Sequence, residues 1–306
     1  MLAGLDAFNS IFLADLNNTQ NSIAQANQQV TSGIRVNEAS DDPGAIGAIL
    51  DNQNQIDQIT QVQTNLNQAA TVASVADGAL SSASTLLNRL TSLAAEGSDS
   101  SATAASRSAL GVEVQGIEQQ LVEIANTSVL GQYIFGGDAP DIQPYTFNWN
   151  VPGGVVQNNT AGNTTTIQDA SGSTLIPGMT AQQIFGAQNS DGTPAAGNIF
   201  QNVYALGQAL DSNDQAGVQA AATALQASVA QLGQATTFNG DTENWIQQAQ
   251  QNAASDLTNL QTNLSSLRDT DVAAAATQLT LDQTALQAAL SAHASLNVKS
   301  LFSYLG

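Results

Sequence analysis

The sequence predicts a mainly α-helical protein, in which both chain ends build a long coiled-coil-like helical bundle and a smaller β-rich insert domain lies between them. Two observations predict this fold class. Apolar residues recur at helical and heptad spacing toward both ends, and the composition changes to strand and turn residues after Pro140. With 306 residues the chain is long enough for more than one core.

The first helix is predicted from an apolar stripe near the N-terminus. Phe8, Phe12 and Leu16 recur at helical spacing with Ile11 beside them, and the stripe continues to Val30.

A corner between two helices is predicted at Asp41, Asp42 and Pro43. Proline fits the first turn of a helix, and a carboxylate before it caps free backbone N–H groups. The pair is therefore interpreted as a structural corner and not as catalytic acids. Arg35 precedes it and forms either a local salt bridge or a contact between subunits.

The strongest helical signal runs from Pro43 to about Glu96. Two apolar rows repeat every seven residues: Ile59, Leu66, Ala73, Leu80, Leu87 and Ala94, and then Val62, Ala69, Ala76, Ala83 and Leu90. A turn at residues 97–101 and a further helix through Leu110 and Leu121 predict an antiparallel hairpin. Arg89 and Arg107 lie on its two helices, where we expect a solvated face and not an ion pair.

The C-terminal part repeats the helical pattern after an insert rich in strand-forming residues and glycine turns. Its seam comprises Ile246, Ala253, Leu257, Leu260, Leu264 and Leu267, slips at residues 269–271, and resumes with Leu279, Leu286 and Leu290. Asn239 either begins this helix or lies inside a longer one. Leu301, Phe302 and Leu305 make the chain end apolar, so we expect it to be buried against a partner.

Three divisions follow. Residues 1–42 and 268–306 are predicted to be terminal assembly helices, residues 43–139 and 198–267 a helical rod, and residues 140–197 a β-rich surface insert. Both ends are amphipathic but hold few residues for a core of their own, which points to assembly with neighbouring copies.

Composition excludes several classes of function. Five Lys and Arg against 25 Asp and Glu give a net charge of −20, which excludes nucleic-acid binding, since phosphate contacts need basic side chains. No apolar run reaches the ~18 residues of a membrane span, so membrane insertion is not expected. Without cysteine and with His293 alone, no catalytic, cofactor or metal site is predicted, and His293 is interpreted as a packing or interface residue.

The run from Val30 to Pro43 resembles the N-terminal signature of the flagellin superfamily. Asp271 with the following alanines and the Gln-rich helix at 286–294 resemble its C-terminal signature. The proline after the paired Asp, the run 131–137 and the ending 300–305 are typical of the hook–filament junction members rather than of filament flagellin. The resemblance covers residues 1–137 and 198–306, and the opening residues 1–4 depart from the usual start.

This resemblance implies a non-enzymatic building block of the extracellular bacterial flagellum, exported through the flagellar type III channel without a cleaved signal. Copies would self-associate in a helical ring between a hook-side junction protein and filament flagellin, with an export chaperone and the type III export apparatus as further partners. In this family both terminal segments are disordered in the monomer and form coiled coils on assembly.

We expect the subunit interface to include residues of both chain ends and the corner: Phe8, Ile11, Phe12, Leu16, Arg35, Asp41, Asp42, Leu279, Leu286, Leu290, Leu301, Phe302 and Leu305. The alternatives are filament flagellin itself, a coiled-coil surface adhesin and, least favoured, an enzyme. An adhesin predicts a secretion signal and an anchor, and an enzyme needs a constellation that the insert lacks, with no His, Lys, Arg or Glu between residues 140 and 198.

Overall fold

The structure, a computed structural model, describes residues 2–159, 164, 166–170 and 172–301, and the side chains among them from residue 9 to residue 295. Most of this part of the chain is helical, which confirms the predicted fold class. The helices are α1 (Leu2–Ser32), α2 (Ile46–Ser98), α3 (Ala104–Ala125), α4 (Ala181–Phe185), α5 (Ile199–Asp211), α6 (Gln215–Arg268) and α7 (Val272–Leu301).

Short strands form three separate antiparallel pairs in the described part of the chain. They are β1 (Ser128–Val129) with β2 (Gln132–Tyr133), β3 (Tyr145–Phe147) with β4 (Val155–Gln157), and β5 (Ile167–Gln168) with β6 (Thr174–Leu175). Strands of two or three residues bury little surface alone, so each pair depends on what packs against it.

The chain divides into two compact units. Unit 1 comprises residues 1–58 and 257–306, and unit 2 comprises residues 59–256. Both boundaries fall inside helices, in α2 and in α6. The predicted three-part division places its boundaries elsewhere and stays a prediction.

The long α2 confirms the helix predicted from the heptad pattern. In unit 2, from Leu66 to Ala94, every member of both apolar rows is buried. Small alanines in the rows leave room for close neighbours: at Ala73 of the first row, the buried Asn239 side chain of α6 donates to the backbone carbonyl at 3.0 Å. Because α6 runs unbroken through Asn239, the longer of the two alternatives for this helix is the observed one.

Helix α3 is the second helix predicted for the hairpin. Thr103 caps its start, since the hydroxyl accepts from the Ser106 N–H at 3.1 Å. Arg89 is exposed, as expected for a solvated face, but it also pairs with Glu113 of α3 at 2.7 Å, so the expectation that it forms no ion pair is wrong.

Arg107 also differs from the expectation, because it is buried. Its guanidinium donates to the carbonyls of Gly97 and Asp99 at 2.8 and 2.9 Å and to the Asn213 side chain at 2.6 Å. The last carbonyls of a helix have no intrahelical partner, and Arg107 satisfies them where α2 ends.

The insert shares the helical core of unit 2. Tyr145 and Phe185 are fully buried together with Phe200 of α5, with ring centroids 4.7 to 5.9 Å apart. All three belong to the same hydrophobic cluster as Leu87 of α2 and Leu121 of α3. The aromatic residues that favour strands in the sequence therefore also cover the helices.

Phe185→Ala is expected to lower the free energy of unfolding of unit 2 by ~3–5 kcal/mol, because a fully buried ring leaves a cavity that the core cannot fill. Urea unfolding followed by circular dichroism measures the change. The control is Ile176→Ala in the same insert: Ile176 is 49% exposed, and its loss should change stability by under ~1 kcal/mol. Equal, small effects would show that the insert does not stabilise the helices.

Candidate functional site

The candidate site is the helix pair formed by the two chain ends in unit 1. At one end, His293 of α7 stacks on Phe12 of α1 with ring centroids 4.1 Å apart, and its Nε2 lies 3.3 Å from Asn9 Oδ1. At the other end, the Thr270 N–H donates to the Gly33 carbonyl at 3.0 Å. The two helices are therefore antiparallel. Of the packing and interface roles that the sequence left open for His293, its stacking on Phe12 shows packing within the chain.

Few side chains of this pair are buried. Phe12, Leu16 and Ile23 of α1 and Leu279 and Leu286 of α7 are only half-buried. Among the described side chains of α1 and α7, just Ala26 and Ala275 are buried. Two alanines bury little apolar surface, so the pair gains little stability from its own contact.

Large apolar side chains of the pair face outward. Ile11 and Leu13 of α1 are 62% and 60% exposed, and Leu281 and Leu290 of α7 are 59% and 47% exposed. Here we call these four residues the outer apolar set.

The structure thus separates the predicted interface residues into groups. Ile11 and Leu290 lie in the outer apolar set, whereas Phe12, Leu16, Leu279 and Leu286 line the seam between α1 and α7. Phe8 and Leu301 lie on the two helices with side chains outside the described range, and Phe302 and Leu305 lie outside the described residues. Their role in an interface stays a prediction.

Leu13 and Leu281 were missed by the sequence analysis. Both lie beside the apolar stripes that identified the helices, so they were not counted as seam residues. A leucine that lies outside the apolar stripe of an amphipathic helix indicates a second apolar surface, and this signal could have identified both residues.

Asp41 and Asp42 hold the corner between α1 and α2. Asp41 Oδ2 accepts from the N–H groups of Glu38 and Asn37 at 2.9 Å each, and these bonds lower the pKa of its carboxyl. Asp42 pairs with Arg35 at 2.9 Å and accepts from the Ala45 N–H at 3.1 Å, which together lower the pKa of Asp42.

The Asp42 carbonyl accepts from the N–H groups of Ala45 and Ile46, at 3.1 and 3.2 Å. With its side chain on the same turn, Asp42 acts as the N-terminal cap and Pro43 occupies the first position after it. This arrangement is the structural corner predicted from the sequence.

Arg35 joins the corner to the end of α6. Its second guanidinium nitrogen donates to the Leu267 carbonyl at 2.7 Å, and the backbone N–H groups of Arg35 and Val36 both donate to the Arg268 carbonyl. Val36 is buried with Ile49 of α2 and Leu264 of α6 beneath these bonds. Arg35, Asp41 and Asp42 thus have contacts within the chain, and their part in a subunit interface stays a prediction.

The described residues provide little for other kinds of site. They contain no group of three or more His, Cys, Asp or Glu side chains placed to hold a metal ion. None of the helices, within those same residues, combines the length and apolarity needed to cross a membrane.

The N-terminal part of the chain is similar to bacterial flagellins: residues 7–139 match the family model of the bacterial flagellin N-terminal helical region. A flagellin of Clostridium tyrobutyricum is 29% identical over 116 residues, which are 38% of this chain and 31% of that protein. The match therefore spans under a third of that curated relative's length.

Two solved structures share the fold. One, from Vibrio parahaemolyticus, is described as a flagellar hook-associated protein; at 22% identity it covers 75% of this chain and 100% of its own, with a TM-score of 0.64. The other is flagellar hook-associated protein-3 of Legionella pneumophila, which is 17% identical and covers 72% of this chain and 98% of its own, with a TM-score of 0.61.

Arg35→Gln is expected to raise the pKa of Asp42 toward its ordinary value, because the guanidinium stabilises the charged carboxylate. The depressed pKa also means that the contribution of this pair to stability is present above the unfolded carboxyl pKa of ~3.9 and is lost as the pH falls through the folded pKa. NMR titration of the Asp42 carboxyl measures the change. Arg89→Gln, which removes an ion pair in unit 2, is the control and should leave the titration of Asp42 as it is; an unchanged Asp42 in Arg35→Gln would contradict the assignment.

Proposed function

We propose that this chain is a structural subunit of the bacterial flagellum that assembles at the junction between hook and filament through its chain-end helices. The observation that carries the proposal is the outer apolar set on the thinly buried α1–α7 pair. The flagellin-type match of residues 7–139 and the fold shared with two hook-associated proteins support it.

The exposed apolar side chains of α1 and α7 favour assembly of several copies. Fully burying one leucine or isoleucine side chain contributes ~1.5–3 kcal/mol. Association costs on the order of 4–15 kcal/mol, so one neighbour touching one leucine is not enough. A ring or helix of copies covers several members of the outer apolar set at once, and the same contacts stabilise the α1–α7 pair.

The proposed partners follow from that position. They are further copies of this chain in a helical ring, a hook-side junction protein on one side and filament flagellin on the other. Export through the flagellar type III apparatus with a chaperone would bring the chain to the extracellular flagellum. The proposed role is structural and not enzymatic.

Filament flagellin is the second candidate, and the curated match favours it, because the matching relative is a flagellin. The two candidates share a fold and differ in position along the flagellum. Immunogold labelling of flagella from the source bacterium separates them. A single band where hook meets filament supports the junction role, whereas label along the whole filament supports flagellin.

Leu290→Asp is expected to weaken assembly strongly while leaving the monomer folded. Leu290 is 47% exposed in the single chain, but in an assembly its carboxylate would be buried without a partner, at a cost of several kcal/mol. The concentration needed for assembly should rise by well over tenfold, since ~1.4 kcal/mol corresponds to each factor of ten. Sedimentation and electron microscopy measure assembly, and circular dichroism confirms the helix content.

Ser291→Asp, an exposed polar neighbour on α7, is the matched control and should assemble at nearly the wild-type concentration. Leu286→Asp should also block assembly, but Leu286 is half-buried in the seam, so that variant perturbs the α1–α7 pair as well. Normal assembly of Leu290→Asp would show that the outer apolar set is not the interface.

The chain ends are expected to open easily in the isolated monomer. Amide hydrogen exchange in α1 and α7 should be much faster than in α3, because a segment with few buried apolar contacts opens at low free energy. Assembly should slow the exchange of both helices. The prediction would be contradicted if, at low protein concentration, the amides of Leu286 and Leu290 exchanged as slowly as the amide of Leu121.

A further inference from the structure

Unit 2 contains a buried carboxyl group that has no partner. Glu118 lies on the inner face of α3, one turn from Val114 and from Val122, and it is 0% exposed. Neither carboxyl oxygen has a hydrogen-bond partner among the described residues. An ionised carboxylate in such a place carries a large desolvation cost, whereas a protonated carboxyl carries a much smaller one.

The carboxyl of Glu118 lies against the turn that joins β3 to β4. A Cβ built on Gly154 would overlap Glu118 Oε1 and lie 2.7 Å from Cδ, so the backbone of the turn rests directly on the acid. Gly153 and Gly154 both have left-handed φ values, +82° and +69°, which side chains rarely adopt. Two glycines thus let the turn approach α3 where Glu118 is buried.

The turn is held in place on its other sides. The Gly154 N–H donates to the Val151 carbonyl, and the Asn148 N–H donates to the Gly154 carbonyl at 2.8 Å. Trp149 of the same turn packs edge-on against Tyr204 of α5, with ring centroids 5.1 Å apart. The turn therefore packs against both α3, at Glu118, and α5, at Tyr204.

None of the charged and titratable groups on the elements around Glu118, among the described residues, hydrogen-bonds to its carboxyl. They are Arg107, Glu113 and Glu123 on α3, Tyr204 and Asp211 on α5, Tyr145 on β3, and Asp191 in the loop before Pro194. Glu113 pairs with Arg89, Glu123 is exposed, and Asp191 accepts from Thr193. Arg107, the cation of the same helix, is about 16 Å away along its axis at 1.5 Å per residue.

We propose that Glu118 is a proton-binding site that couples the docking of the β3–β4 turn on α3 to pH. The carboxyl holds a proton while the turn is docked, and it releases that proton to solvent when the turn lifts and water reaches the carboxylate. The insert is thereby held more tightly at acid pH than at alkaline pH.

The direction of the pH dependence follows from burial. Burial raises the pKa of the Glu118 carboxyl well above its ordinary value. The folded protein then binds a proton that the unfolded chain, with a carboxyl pKa of ~4.3, has released. The stability of unit 2 is therefore highest below that value and falls as the pH rises through the folded pKa.

Glu118→Gln tests the proposal, because the amide has nearly the same shape and no ionisable proton. The ratio of the folding equilibrium constants of variant and wild type, from urea unfolding between pH 5 and pH 8, should rise by up to tenfold per pH unit. Glu123→Gln, the exposed glutamate of the same helix, should show no such trend. A ratio for Glu118→Gln that stays constant across this range would overturn the proposal.

Fluorescence of Trp149 reports the turn itself, in a Trp245→Phe background that leaves one tryptophan. In the wild-type protein, alkaline pH should change the Trp149 emission at urea concentrations too low to unfold the whole protein. Glu118→Gln should remove this change. An identical pH profile in both proteins would show that the turn does not respond to Glu118.

A measurement on the wild-type chain remains decisive if the variant does not fold. The chain has six glutamates, so selective ¹³C labelling of their carboxyl carbons gives few NMR signals. One signal should keep the chemical shift of a protonated carboxyl at pH values where a free glutamate is ionised. Six signals that all titrate in the ordinary glutamate range at about pH 4.3 would overturn the proposal.

Discussion

The scarcity of side chains that α1 and α7 bury against each other is the constraint on which the rest of this structure depends. In the antiparallel pair, Phe12 stacks on His293 near one end, and Ala26 and Ala275 are the buried residues among the described side chains. A long helix pair with so little burial is marginal alone, because helices in water owe most of their stability to packing. The large apolar side chains left outside supply the missing burial only when other molecules cover them.

The corner gives this thin pair a defined geometry. Arg35 bonds to Asp42 and to the end of α6. Asp41 accepts from backbone N–H groups of the corner itself, at Asn37 and Glu38, and Asp42 accepts from the Ala45 N–H just before α2. These bonds are exposed or half-exposed, and each contributes modestly to stability. Within unit 1 these bonds fix the direction in which the chain passes from α1 to α2 and from α6 to α7. They therefore also fix the orientation of the outer apolar set.

Repeating patterns could be predicted from the sequence and single contacts could not. The heptad rows of α2 and the capping role of Asp42 follow from local rules, and both are observed. Arg107 was predicted to be solvated because the sequence does not show that the carbonyls of Gly97 and Asp99 turn toward it. The burial of Glu118 could not be predicted from the sequence, because it depends on a glycine turn more than thirty residues later in the chain.

In the assembled protein the outer apolar set should be buried between copies of the chain. The chain has no cysteine, so Leu290→Cys creates a single thiol whose rate of alkylation reports exposure at that position. The matched reference is Val112→Cys in unit 2, a site that is 68% exposed. Assembly should slow alkylation at position 290 by at least about tenfold relative to position 112, as expected for a buried interface position. Equal alkylation rates at position 290 in the monomer and in the assembled protein would contradict it.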